Sequence, residues 1–233
     1  MIQVIITAVP SRQILLDALV DALDAQRTHY ALEAQVQPVA LSVDAALAGC
    51  WANARRAWTL GAALVGEGDH ILVVQDDAVL ADDFLAGAVA ALAARPDEAV
   101  SFYSARALVP EAHARGESWA DQPARSWLNA QAVALPHALA DLFVSWEGRQ
   151  PAEVTAPWKK SYDMRLSAFL AHLGRKVCLT VPSLVDHAQV PSVMGHPKST
   201  GGRPRVAALF QAHDTRYIDW TRTGSTTKKA GST

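Results

Sequence analysis

The sequence predicts an α/β domain with a mostly parallel central sheet and helices on both faces. Strand-like and helix-like runs alternate four times between residues 2 and 105, the pattern of repeated strand–helix units. The strand-like runs are short and almost continuously apolar, as in strands covered on both sides. Half of the 233 residues are hydrophobic, enough for one core and too many for a disordered chain.

IQVIITAV (2–9) is apolar and β-branched and reads as a buried strand stopped by Pro10-Ser11, with Ser11 placed to cap the next helix. RQILLDALVDALDAQ (12–26) has helical spacing, with Ile14, Leu15, Ala18, Leu19, Ala22 and Leu23 expected on the inner face. A second strand is expected near 34–41 and a helix over 50–68, ended by Gly66 or Gly68. HILVVQDD (70–77) is a third strand with two carboxylates at its end. A helix over 82–96 closes at Pro96, and AVSFYSA (99–105) is the fourth strand. Residues 107–126 hold prolines, Gly116 and many polar side chains and read as a loop. A short strand, a break at Pro136 and a helix are expected over 127–146. Next come a helix over 162–174, a strand within 176–188 and a short helix over 205–213. The expected domain covers 1–205, with a basic tail over 206–233 that is disordered toward its end.

The net charge of −2 conceals an uneven distribution. Residues 1–100 hold 5 basic and 13 acidic residues (−8), and residues 196–233 hold 7 and 2 (+5). The average therefore does not exclude an anionic ligand. Cys50 and Cys178 are far apart, which excludes a disulfide scaffold and a Cys-x-x-Cys zinc site. With neither a leader pattern nor an apolar run of membrane length, the chain is expected to be cytoplasmic and without membrane contact.

Three features carry chemistry. Asp76 and Asp77 end a buried strand, where paired carboxylates suit a divalent ion with oxygen ligands; they also suit a solvated turn. His187 comes after a late apolar run and offers an imidazole to the same ion, or lies in a loop. Asp163 opens a helix, either as an N-terminal carboxylate or as a general base. No Gly-x-Gly-x-x-Gly succeeds the first strand, which disfavours a dinucleotide-dependent oxidoreductase.

The stretches TAVPSR (7–12), ANARRAW (52–58), HILVVQDDAVLADDF (70–84), WLNAQAVALP (127–136) and PSLVDHAQVPSVMGHP (182–197) together resemble a small GT-A fold glycosyltransferase of the bacteriophage type. The order of these stretches carries the resemblance, and Gln75-Asp76-Asp77 stands where the family has its DxD-type motif, with Gln75 in the first acidic place. The resemblance implies a nucleotide-diphospho-sugar transferase fold and a Mn²⁺ or Mg²⁺ ion. It implies transfer of a sugar from a nucleoside diphosphate, best a UDP-sugar, to a hydroxyl. Pro10, Ser11 and Arg12 would line the nucleotide pocket, Asp44 would approach base or ribose, and Asn53 and Arg56 would face the donor. Asp76 would contact ribose or the ion, and Asp77 and His187 would coordinate it. Trp127 and Asn129 would border the sugar or acceptor pocket, unless Trp127 is core. Arg203, with Arg205, would close over the diphosphate. Asp163 would be the catalytic base if the enzyme inverts; if it retains, this carboxylate would bind sugar or acceptor. A basic tail favours double-stranded DNA carrying hydroxymethylated pyrimidines as acceptor, with a virion protein or surface glycan as the alternative. A catalytically silent sugar-nucleotide-binding module on the same fold is the reading from another class.

Overall fold

The computed structural model describes residues 1–127, 130–151, 161–191, 199–200 and 203–223. In chain order the elements are β1 (Ile2–Ala8), α1 (Gln13–His29), β2 (Ala40–Val43), α2 (Cys50–Leu64), β3 (His70–Gln75), β4 (Ala78–Leu80), α3 (Phe84–Ala94), β5 (Ala99–Ser101), α4 (Leu108–Ala114), β6 (Trp119–Pro123), β7 (Ala132–Pro136), α5 (His137–Gly148), α6 (Tyr162–His172), β8 (Lys176–Thr180), β9 (Val185–His187), β10 (Ser199–Thr200) and β11 (Arg203–Pro204).

Seven strands form one sheet in the order β2-β1-β3-β7-β5-β8-β6. β1 pairs in parallel with β2 and β3, and β5 with β8, whereas β7 is antiparallel to both β3 and β5, and β6 to β8. The fold is thus α/β, as expected, and the sheet is mixed: β6 and β7 run against the other five strands. Alternate residues feed two cores. Ile2, Val4 and Ile6 face α1 and α3, while Ile5, Ile71 and Val73 face α2, α5 and α6. Gly61 lets α2 come this close, since a Cβ there would stand 2.4 Å from Ile71 Cγ2. Among the described residues no helix is long and apolar enough to cross a membrane.

Several expectations are corrected. The inner face of α1 is Leu16, Leu19, Leu23 and Gln26, and Ile14 is 85% exposed. The three-residue turn at Pro10–Arg12 sets the helix start and so its rotation, and Gln26 holds an inner place by bonding Ala81 O and Leu85 N at 2.8 and 2.9 Å. The segment 107–126 is not a loop but contains α4 and β6. Pro110 falls in the first turn of α4, where its missing N–H costs nothing, and Pro123 ends an edge strand. The second strand begins at residue 40, with Val36 making only an isolated bridge to Ile2.

The stretch 205–213 is not a helix, and residues 206–222 are not a free tail. They run along the body as a strap, with Ser183 N bonded to Leu209 O and Ala208 N to Ser104 O. Asp83 then accepts from Thr215 N, Thr215 Oγ1 and Arg216 N. Gly87 makes room for this contact, because a Cβ would lie 2.4 Å from Thr215 Oγ1. Trp220 packs on Trp119, whose indole N–H donates to Trp220 O at 2.9 Å. The remaining expectation of disorder falls on 224–233, outside the described residues.

Candidate functional site

The carboxyl ends of β1, β2, β3, β5 and β8 lie along one edge of the sheet, and the antiparallel β7 begins there. Ligands of open α/β sheets bind at this edge. Pro10 and Ser11 are exposed on it, directly after β1.

Asp76 and Asp77 come directly after β3 and are both buried, at 6% and 5% exposed. Asp76 Oδ2 accepts from Val9 N at 3.1 Å, and Asp77 Oδ1 from Gln131 Nε2 at 2.6 Å. Arg12 spans the remaining oxygens: its Nη1 donates to Asp76 Oδ1 at 2.7 Å and to Asp77 Oδ2 at 2.6 Å, and its Nη2 to Pro191 O at 3.0 Å. Burial works against the guanidinium's charge, but Asp77 and Asp76 outweigh it and raise the Arg12 pKa. For Asp76 the balance is reversed: burial exceeds the help of Arg12 and Val9 N–H and raises its pKa.

The small strand β4 explains how His187 arrives. It starts one residue after Asp77 and pairs antiparallel with β9, which sets His187 opposite Ala78. His187 Nε2 stands 3.6 Å from Asp77 Oδ2. Nδ1 lies 2.7 Å from Ala188 O, an acceptor only, so Nδ1 donates to it and the ring is anchored with Nε2 toward the carboxylate. Nitrogen and oxygen donors facing each other at that spacing fit neighbouring ligands of one divalent ion, and a backbone-anchored imidazole is the usual way to orient such a ligand. Among the described residues no group of three or more His, Cys, Asp and Glu side chains is arranged to hold a metal ion.

Other expected residues are used differently. Asp44 is buried, and its two oxygens take Ala48 N (2.9 Å) and Gly49 N (2.8 Å), with Arg56 Nη2 at 3.3 Å. Burial disfavours its charge, yet these donors prevail and lower its pKa. Asn53 is buried too: it donates to Ala8 O and accepts from Ser42 Oγ and Arg56 Nη2. Both residues build the entry to α2. Arg56 remains partly exposed. Trp127 is wholly buried in the core beside α5 and α6, its Nε1 without a hydrogen-bond partner among the described residues. Asp163 begins α6, and its Oδ1 takes Ser161 Oγ and, at 2.9 Å, Met164 N. Burial raises the Cys50 thiol pKa, with the Tyr162 backbone opposing and Asp163, Asp44 and Asp76 adding to the rise. Asn129 and the segment 192–198 lie outside the described residues. Arg203 is placed by its backbone in β11.

Sequence reasoning missed Gln131 and Tyr103. Gln131 is a lone buried amide leading an apolar strand, which was the one signal available. Tyr103 is 4% exposed, and burial, then Asp186 and Asp77, push its hydroxyl up to about 12, with Arg205 opposing. Arg216 stacks on Tyr30 and Tyr217, and Arg222 bonds Asp219, so two cations of the expected tail are engaged on the chain's own surface. No protein-family model matches the chain, and no curated protein matches it.

Proposed function

We propose that the chain is a metal-dependent glycosyltransferase with a GT-A-like fold, moving a sugar from a nucleoside-diphosphate sugar to a hydroxyl. One observation carries the reading: Asp77 Oδ2 and His187 Nε2, from segments far apart in sequence, face each other 3.6 Å apart at the ligand-binding edge of the sheet. Asp77 and His187 would hold Mn²⁺ or Mg²⁺, which keeps part of its shell for phosphate oxygens and water. When bound, the ion neutralises charge on the departing diphosphate. Arg12 supplies a second cation for the same oxygens, and Gln131 keeps Asp77 from turning. The anomeric carbon–oxygen bond to phosphate breaks as the acceptor oxygen bonds that carbon. If the transfer inverts, Asp163 takes the acceptor proton, acting from the start of α6; if it retains, this carboxylate binds sugar or acceptor.

The test is hydrolysis and transfer from a panel of UDP-sugars with Mn²⁺, followed by mass spectrometry. Donor turnover that vanishes with chelator and in D77A supports the reading. Tight nucleotide binding without turnover favours a silent binding module, and D163N with normal turnover removes Asp163 as base. For the acceptor, hydroxymethylated pyrimidine in DNA rests on the charge of the C-terminal segment. Engagement of Arg216 and Arg222 favours the second reading, a hydroxyl on a protein or glycan. Salt-dependent binding to hydroxymethylcytosine duplex separates the two.

A further inference from the structure

We propose that Arg12 is the resident counter-cation of the Asp76–Asp77 pair and must leave it before a divalent ion can settle, so that the site takes its metal together with a nucleotide. The proposal rests on the glycosyltransferase reading above. Arg12 Nη1 sits 2.6 Å from Asp77 Oδ2, the oxygen that faces His187. A divalent ion between Asp77 and His187 would share that oxygen with a guanidinium, in a buried setting where like charges repel strongly. Two carboxylates and one guanidinium leave the cluster one unit negative. An ion added alone makes it one unit positive, whereas an ion added with a diphosphate does not. The arriving phosphates also give the displaced guanidinium a matching partner, because its fork pairs with phosphate as well as with carboxylate. The third bond, to the neutral Pro191 carbonyl, is the weakest of the set to surrender.

The experiment is Mn²⁺ titration by calorimetry or by the electron-spin signal of free Mn²⁺. It uses the full chain without nucleotide, in wild type, R12A, R12K and D77A, with a thermal melt of each. R12A is expected to bind Mn²⁺ roughly ten-fold tighter or more, the worth of one charge-assisted pair. R12K, which keeps the charge without the fork, should fall between R12A and wild type and serves if R12A does not fold. In the presence of Mn²⁺, R12A should bind UDP more weakly than wild type. If R12A and R12K bind Mn²⁺ no tighter than wild type while D77A abolishes binding, the gating idea is overturned and the metal site stands. If no variant binds Mn²⁺ with or without UDP, the metal reading fails and this inference with it.

Discussion

Two neighbouring networks at the sheet edge contain similar chemistry and do different work. One lies after β2 and joins Asp44, Asn53 and Arg56; the other lies after β3 and joins Asp76, Asp77, Gln131 and Arg12. In the first, both carboxylate oxygens are taken by backbone N–H groups of the next few residues, and the amide is committed to Ala8 and Ser42. In the second, the partners come from remote segments, and one oxygen faces the Nε2 of His187. A network satisfied by its own turn holds the backbone. A network held together by distant groups is the one in which the proposed exchange of Arg12 for a ligand would take place.

Substitutions can break or sharpen this contrast. The largest effect is expected for D77N, which should lower donor turnover by about 10²-fold or more and, by breaking a buried ion pair, also lower the melting temperature; turnover equal to that of wild type would close the open network. N53A should cost about 1–2 kcal/mol of stability, because it removes the amide's bonds to Ala8 O and Ser42 Oγ while Ala8 O keeps Asp44 N and Ser42 Oγ keeps the Asn53 carbonyl, and leave Mn²⁺ binding unchanged. Denaturant unfolding beside Mn²⁺ titration checks both halves. D44A should cost about 1–2 kcal/mol, as for a lost helix cap. Its cost has a pH signature. The folded pKa of Asp44 is lowered, so its contribution is present above the ordinary carboxylate value near 3.8 and is lost as pH falls through the lowered value. The gap between wild type and D44A should therefore narrow in acid unfolding experiments. R56A is expected to cost least, below about 1 kcal/mol and less in high salt, since its pair with Asp44 is half exposed.

The parts of the fold that were legible in the sequence are those with local signals. β1 and β3 announce themselves as apolar runs, and the edge position of Arg12, Asp76 and Asp77 is fixed by where those runs stop. The α/β class was readable for the same reason. The antiparallel course of β7 was not, because AVALP looks the same in either direction. Nor was β4: three residues after Asp77 are a strand only because β9 lies beside them. That pairing, invisible locally, is what brings His187 to Asp77. The bonds of Asp44 to Ala48 N and Gly49 N were equally hidden, since an aspartate after a strand looks alike whether or not its own loop takes its oxygens. The strap over 205–222 escaped because its composition is that of a tail, while its hold depends on a missing side chain at Gly87.

The bond from Arg12 to the Pro191 carbonyl joins positions 179 apart, and the β4–β9 ladder spans most of that distance as well. Loops this long close late in folding. A growing chain emerging from the ribosome therefore displays Asp76 and Asp77 well before His187 and Pro191 exist to complete their surroundings. The sugar-nucleotide site proposed for this protein therefore needs the chain made through residue 187 before both of its proposed metal ligands exist.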